Sequence, residues 1–282
     1  GLDCTSVTVI PDEDRSPISN NEKSRANALE YMKWAIDCSA ALGSEILAGP
    51  YHQPLGIFSG EPPTQKEKEH AAKVHQDAAD YAKQVSLQLS IEPLNRFECY
   101  FLNIGQDASD YVDLVNRDNF GYLYDTFHAN IEEKDPVGVI SRTIKNINHI
   151  HISENDRGTP GKGNIPWIET FDAIKNSGYD GWLTIEAFGR ALPDLAAATR
   201  VWRDFFPSKE EVYDHRKTKF LKIGRNQGFS KSSDLNDTGL SYNPSTGNLT
   251  IGGELSAATL DISGNVDIDG TLEADALTID GT

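Results

Sequence analysis

The sequence has few cysteines, no long apolar run and, over its last fifth, no basic residue. Its three cysteines, Cys4, Cys38 and Cys99, are an odd number without CxxC spacing. We expect ordinary reduced residues, and therefore a cytoplasmic protein. No stretch approaches the roughly 18 apolar residues that a membrane-spanning helix needs, so a membrane is not an expected partner.

Basic residues are outnumbered, and the imbalance is uneven. The net charge is -17, from 26 basic and 43 acidic side chains. From Ser232 onward the sequence contains nine acidic residues and no basic one. Phosphate binding needs clusters of Lys and Arg, so nucleic acid is not an expected partner.

Strand-like and helix-like segments alternate along residues 1–205. The former are β-branched or alternate apolar with polar residues, and the latter place apolar residues at helical spacing. Strict alternation favours a parallel sheet with helices outside it. We predict strands at 1–10, 44–49, 87–92, 121–125, 147–152 and 182–186, and helices at 22–42, 64–85, 107–115, 136–145, 166–177 and 193–205.

The number of units indicates an incomplete barrel. A closed (β/α)₈ barrel has eight strand–helix units, two more than the six predicted here. For residues 1–223 we therefore predict an α/β domain, a (β/α)₈ TIM barrel lacking its first two βα units. Because the sequence starts at Gly1 rather than at a methionine, we expect the two absent units to precede it.

From about Gly224 short segments separated by glycine replace this pattern. They include 249–252, 260–264, 266–270 and 277–281. The segments recur about every ten residues, which indicates a stalk-like β-repeat rather than βαβ units. We predict a second domain over 224–282, an acidic β-rich repeat tail. A disordered acidic tail is the alternative.

Four of the predicted strands end in a side chain that can bind a metal: Glu92, Asp125, His151 and Glu186. In a parallel barrel the carboxyl ends of the strands meet at one rim, where active sites lie. Three carboxylates and one imidazole suit Mn²⁺, Mg²⁺ or Co²⁺. Each residue alone would more often be structural. The coincidence of four predicts a divalent metal site.

Further polar residues follow the same strands in the predicted rim loops. Glu98, His128 and Arg157 lie three to six residues beyond the first three strand ends. There they could hydrogen-bond a polyhydroxylated substrate, although each alone is a surface residue by default. Segment 158–163 lacks the spacing of a phosphate-binding loop, and we predict a flexible lid.

Longer motifs around these residues resemble the sugar isomerase/epimerase superfamily, which has a xylose-isomerase-like TIM barrel. They are Ile-Glu-Pro-Leu-Asn-Arg-Phe-Glu (91–98), Asp-Thr-Phe-His-Ala-Asn (125–130), His-Ile-His-Ile-Ser-Glu-Asn-Asp-Arg-Gly (149–158) and Thr-Ile-Glu-Ala-Phe (184–188). The likeness is greatest to the D-tagatose 3-epimerase (ketose 3-epimerase) group and extends to about residue 223. The tail resembles viral tail-fibre repeats, joined by a natural fusion or by a mis-joined reading frame.

The resemblance implies both an activity and roles for residues. The implied metal ligands are Glu92, Asp125, His151 and Glu186, with Mn²⁺ as the usual ion. The implied sugar contacts are Glu98, His128 and Arg157. Glu92 and Glu186 would also serve as acid and base on opposite faces of a ketose, inverting C3 through an ene-diolate.

Two other functions stay open at this point. An aldose–ketose isomerase of the hydroxypyruvate or inosose type would use the same metal and Glu pair. The second alternative is not an enzyme but an inactive fibre-like fusion product. It stays open because an incomplete barrel leaves two unpaired strand edges, which favour aggregation. The expected partner is a small sugar. A homo-oligomer also stays open, since members of the family often pair through helices and rim loops.

Overall fold

The chain folds around a six-stranded parallel sheet. The computed structural model describes residues 3–208, 210, 212, 240–243 and 248–251. The six strands follow one another across the sheet in chain order, which confirms the predicted parallel α/β architecture. Within the described residues, the first and last strands form the two edges. The strands are β1 (Cys4–Val7), β2 (Ser44–Gly49), β3 (Gln88–Ile91), β4 (Phe120–Asp125), β5 (Ile147–Ile152) and β6 (Trp182–Ile185).

Helices connect successive strands and cover the outward face of the sheet. The second of them begins with a capping box, in which Thr64 and Glu67 each accept a hydrogen bond from the other's backbone N–H. Such a cap fixes the residue at which a helix starts. The helices are α1 (Glu22–Ala41), α2 (Gln65–Lys83), α3 (Gly105–Val115), α4 (Thr126–Glu132), α5 (Gly138–Thr143), α6 (Trp167–Asn176) and α7 (Pro193–Ala198).

Two helices differ from the prediction. Helix α4 was not predicted, and it forms because the Asp125 carboxylate accepts a hydrogen bond from Phe127 N at 2.6 Å, which caps a helix directly after β4. Helix α7 was predicted to reach residue 205 but has six residues. It ends early because Arg200 adopts a left-handed backbone conformation, with φ of 57°.

Apolar clusters lie on both faces of the sheet. The larger cluster includes Leu89 and Ile150 and packs between sheet and helices, while the smaller one, with Leu123 and Trp182, lies on the inner face. Trp182 Nε1 donates to Glu45 Oε2 at 2.9 Å, from β6 to β2. In a flat sheet, strands four places apart would be about 19 Å from each other. The sheet therefore curves until side chains of its inner face meet, as in a barrel wall.

The Asn148 side chain connects three strands of the sheet below their carboxyl ends. Asn148 of β5 lies over Gly121 of β4, where a Cβ atom would overlap the Asn148 amide group. That amide reaches β3, where it accepts a hydrogen bond from Ser90 Oγ and donates one to Leu89 O at 2.9 Å. These two hydrogen bonds join β3 to β5, the two strands that carry the candidate metal ligands Glu92 and His151 at their carboxyl ends.

Two further strands, β7 (Leu240–Asn243) and β8 (Asn248–Ile251), form an antiparallel pair. The predicted strand segment at 249–252 coincides with β8. The other predicted repeat segments, at 260–264, 266–270 and 277–281, lie outside the described residues, so the repeat tail stays a prediction. In the part of the chain that the structure describes, no helix combines the length and apolar character needed to cross a membrane.

Candidate active site

The candidate site lies at the carboxyl ends of β3 to β6. Asp125 is the last residue of β4 and His151 the last but one of β5, while Glu92 and Glu186 are the first residues after β3 and β6. The backbone N–H groups of these two glutamates still donate to carbonyl groups of neighbouring strands, at 3.0 and 3.1 Å. All four side chains therefore project from a backbone that the sheet holds in place.

The structure brings the four predicted metal ligands together. One ligand atom from each lies within 4.8 Å of the others. The distances from His151 Nδ1 are 4.0 Å to Glu92 Oε1, 3.7 Å to Asp125 Oδ2 and 3.5 Å to Glu186 Oε2. The Glu186 side chain is 21% exposed, whereas the other three are almost fully buried. The cluster is therefore accessible from the Glu186 side.

This donor set fits a divalent cation. Neither ring nitrogen of His151 has a hydrogen-bond partner within the described residues, although the ring is buried among carboxylates. Its contacts of 3.5 Å and longer exceed hydrogen-bond distances. Metal ligands bind as ionised carboxylates and a neutral imidazole. In those forms the three carboxylates and the Arg157 guanidinium leave two negative charges, which a divalent ion would neutralise. The assignment of the four residues as ligands stays a prediction, with a geometry that fits it.

Arg157 lies directly against the cluster. Its Nη1 contacts Asp125 Oδ2 at 2.8 Å and is also hydrogen-bonded to the Glu186 carboxylate. The guanidinium stacks on the Phe127 ring at 4.1 Å and lies 5.2 Å from the Phe188 ring. These contacts fix the orientation of the Arg157 guanidinium, because cation–π stacking constrains a planar group. Arg157 is thus placed where it could contact a small molecule bound at the cluster.

The His128 ring lies at the same place. Its Nδ1 lies 3.0 Å from the backbone N–H of Asn95. Burial, followed by the charge of Arg157, lowers the pKa of His128 to about 3, so the ring is neutral at pH 7. Nε2 lies 2.8 Å from Arg157 Nη2 and 3.8 Å from Glu92 Oε1. A neutral imidazole accepts at one nitrogen only, so His128 accepts a hydrogen bond either from Asn95 or from Arg157. His128 and Arg157 therefore meet beside Glu92, where a bound molecule could contact both side chains.

Glu98 lies at the edge of this arrangement. Its Oε1 accepts from Asn95 Nδ2 at 2.8 Å, so Asn95 links Glu98 to His128. Glu98 is half-buried. Burial lowers the pKa of Arg157, but the carboxylates of the cluster, and to a smaller extent Glu98, outweigh it and raise that pKa. The three predicted sugar contacts thus lie in one connected group around the four predicted ligands.

The charges of the cluster move pKa values in opposite directions. Burial, with the neighbouring Glu186 carboxylate, raises the pKa of Glu92 well above its usual range. Asp125 is equally buried, but Arg157 outweighs burial and holds the pKa of Asp125 well below its usual range. Burial lowers the pKa of His151, yet the carboxylates of Glu186 and Asp125 outweigh it and raise that pKa to about 10. Opposed shifts of this kind are typical of functional sites.

Sequence reasoning missed several residues that support the site. Ser153 Oγ donates to Asp125 Oδ2 at 3.2 Å and accepts from Arg157 Nη1 at 3.1 Å. Its position two residues after His151, on the same face of the chain, was a signal that could have found it. Asn95 and Glu154 gave no such signal, because each lies in a loop whose course the sequence does not specify.

Comparison with known proteins identifies the family. Residues 1–206 match the family described as "Xylose isomerase-like TIM barrel". This chain belongs to that family. It is 34% identical over 212 residues to a probable ketose 3-epimerase of Synechocystis sp. (strain ATCC 27184 / PCC 6803 / Kazusa), which covers 75% of this chain and 74% of the relative. It is 30% identical over 216 residues to the ketose 3-epimerase of Arthrobacter globiformis, covering 76% of this chain and 72% of the relative.

Solved structures show the same relationship. An L-ribulose 3-epimerase superimposes with a TM-score of 0.74 at 27% identity, covering 79% of this chain and 76% of the other. The D-psicose 3-epimerase of Clostridium cellulolyticum H10, solved with D-tagatose, gives a TM-score of 0.72 at 27% identity, covering 80% and 78%. The predicted class of enzyme is confirmed, because the homologues and structural neighbours are isomerases and epimerases.

Proposed function

We propose that this chain is a divalent-metal-dependent ketose 3-epimerase. The observation that supports this most directly is the meeting of three carboxylates and an imidazole within 4.8 Å, beside the His128 ring and the Arg157 guanidinium. The first group suits a metal, and the second suits the oxygens of a sugar. The ketose 3-epimerase relatives support the reaction type.

Glu92, Asp125, His151 and Glu186 would hold the ion, for which we propose Mn²⁺ ahead of Mg²⁺ and Co²⁺. When bound, the ion supplies positive charge that makes a hydrogen beside the sugar's carbonyl group more acidic. In this proposal Arg157, His128 and Glu98 bind the hydroxyl and carbonyl oxygens of the sugar. They thereby orient C3 towards the two glutamates.

The proton transfers at C3 are assigned to Glu92 and Glu186. They extend from β3 and β6, three places apart in the curved sheet, so they can approach a ketose from opposite sides. One carboxylate takes the C3 proton, and the electron pair of the broken bond moves to the C2–C3 bond and the C2 oxygen. The other carboxyl group returns a proton to the opposite face, the C2 carbonyl re-forms, and C3 is inverted.

A conservative substitution tests this assignment. Glu186→Gln keeps an oxygen ligand but cannot exchange protons, so we expect it to retain most of the metal and to lose ketose epimerisation. Glu169→Gln, at an exposed position on α6, is the matched control and should behave like the wild type. Epimerisation by Glu186→Gln at the wild-type rate would show that this glutamate is not the acid or base.

We also propose two separate units, an enzyme domain at 1–223 and an acidic tail at 224–282. Net charge supports the division, since the nine acidic residues from Ser232 onward have no basic counterpart. A chain truncated after residue 223 is expected to keep metal binding and turnover, and their loss would contradict the division. A full chain that purified as a metal-free, inert trimer would instead favour the fibre-like fusion product.

A further inference from the structure

A buried carboxylate outside the metal cluster accepts an unusual number of hydrogen bonds. Glu154 is 1% exposed and follows β5 by two residues. Its Oε1 accepts from the backbone N–H groups of Asn155 and Ile165, both at 3.1 Å. Its Oε2 accepts from Gly161 N at 2.7 Å and from Trp167 Nε1 at 3.0 Å. All four donors belong to the segment that runs from the end of β5 to the start of α6.

This arrangement requires a carboxylate rather than any polar side chain. Each oxygen of Glu154 accepts two N–H groups, and an ionised carboxylate is the only side chain of this length that accepts at both ends. An amide would turn one end into a donor that faces two other donors. Hydrogen bonds to a charged acceptor are also stronger than neutral ones, which offsets the burial of the charge. One side chain thus makes four hydrogen bonds to residues 155–167, a stretch that includes the lid predicted at 158–163.

The same segment carries Arg157. The Arg157 N–H donates to Glu154 O at 2.9 Å, and the Arg157 carbonyl oxygen accepts from Phe188 N at 2.9 Å. The residue has a left-handed backbone, with φ of 63°, a conformation that non-glycine residues adopt only when their surroundings impose it. Segment 155–166, which is hydrogen-bonded to Glu154, therefore determines the position from which the Arg157 side chain extends to Asp125 and Glu186.

Only a glycine fits at position 163 of this segment, because side-chain oxygens lie where a Cβ atom would be. A Cβ atom at Gly163 would lie 2.5 Å from Glu154 Oε1 and would also overlap Asn155 Oδ1. The Asn155 oxygen already accepts from Asn164 N at 2.9 Å, so neither oxygen can move away without losing hydrogen bonds. Gly163→Ala therefore disturbs the turn while leaving the carboxylate chemistry of Glu154 unchanged.

We infer that Glu154 is a positioning residue, which fixes segment 155–166 and thereby holds Arg157 at the ketose-binding side of the metal cluster. The inference rests on the proposed function in one respect, since it takes Arg157 to bind the substrate. It adds that the affinity for the sugar depends on a carboxylate that touches neither the sugar nor the metal ligands.

The test compares Glu154→Gln and Gly163→Ala with the wild type and with Glu169→Gln. The first readout needs no substrate: the rate at which an arginine-selective dicarbonyl reagent modifies Arg157, followed by mass spectrometry with the exposed Arg96 as internal standard. The lost hydrogen bonds should raise that rate about tenfold in both variants. The second readout is kinetic. KM for the ketose should rise about tenfold, with a smaller change in kcat and the Kd for Mn²⁺ within about twofold.

The outcomes separate the inference from the proposed function. Unchanged modification of Arg157 in both folded variants would overturn the inference, as would a loss of Mn²⁺ affinity parallel to the rise in KM. If the wild type neither binds nor converts any ketose while Arg157 becomes reactive in both variants, the proposed function fails and the positioning role stands. Circular dichroism establishes that each variant is folded, and Gly163→Ala keeps the test open if Glu154→Gln is not.

Discussion

Acid should destabilise this protein through a histidine remote from the active site. His75 lies in α2 with no exposed surface, and burial lowers its pKa from 6.5 to about 4. Its Nε2 donates to Tyr51 O at 3.2 Å and its Nδ1 accepts from the Tyr111 hydroxyl at 2.6 Å. The folded state therefore holds a neutral ring, and the unfolded state binds a proton more tightly. Its contribution is fully present above pH 6.5 and is lost as the pH falls to about 4.

The size of this contribution follows from the two pKa values. The difference between 6.5 and about 4 corresponds to about 3 kcal/mol of the free energy of unfolding, with a slope of about 1.4 kcal/mol per pH unit. His75→Gln can keep both hydrogen bonds and does not titrate. In urea denaturation between pH 4 and 7, the free energy of unfolding of His75→Gln should therefore rise less steeply with pH than that of the wild type. The difference corresponds to the one proton that His75 binds on unfolding.

A control on the same helix makes the comparison specific. His70 also lies in α2 but is only partly buried, and burial lowers its pKa less than that of His75. His70→Gln should therefore reduce the slope less than His75→Gln does. Equal slopes for the wild type and His75→Gln would contradict this prediction, because they would show that His75 binds its proton equally in the folded and unfolded states.

Two further predictions concern the cluster and the sheet beneath it. Asp125→Ala removes both a charge and an oxygen ligand from the cluster and should weaken Mn²⁺ binding at least about tenfold by isothermal titration, whereas the exposed Asp172→Ala should not; equal affinities would remove Asp125 from the ligand set. Gly121→Ala places a Cβ atom against the Asn148 amide and should lower the free energy of unfolding by about 1–3 kcal/mol. An unchanged urea midpoint would mean that Asn148 moves aside without loss.

Much of the fold was predictable because its signals are local. The strands β2 to β6 were predicted to within about two residues of their ends, since alternating or continuous apolar segments are short and end at polar residues. Four strand ends with metal-binding side chains also predicted that Glu92 and Glu186 would meet. Parallel strands of one sheet place their carboxyl ends at one rim, whatever the details of the loops.

The residues that escaped prediction act through contacts distant in sequence or through backbone conformation. Glu154 resembles any loop carboxylate until the chain returns to it at Gly161 and Trp167. Asp125 was predicted as a ligand, and its second role as the cap of α4 depends on the direction in which the chain leaves β4. The early end of α7 follows from the left-handed backbone at Arg200, which the sequence does not mark with a glycine.

The proposed reaction inverts C3 of a ketose at a metal cluster that contains Glu92 and Glu186. The most direct measurement is incubation of the Mn²⁺-loaded protein with a panel of ketoses in D₂O, followed by NMR. We expect deuterium at C3 of both epimers, which a chelator abolishes and Mn²⁺ restores. Deuterium at C1 or C2 would show an aldose–ketose isomerase instead, and no incorporation from any ketose would exclude the proposed reaction.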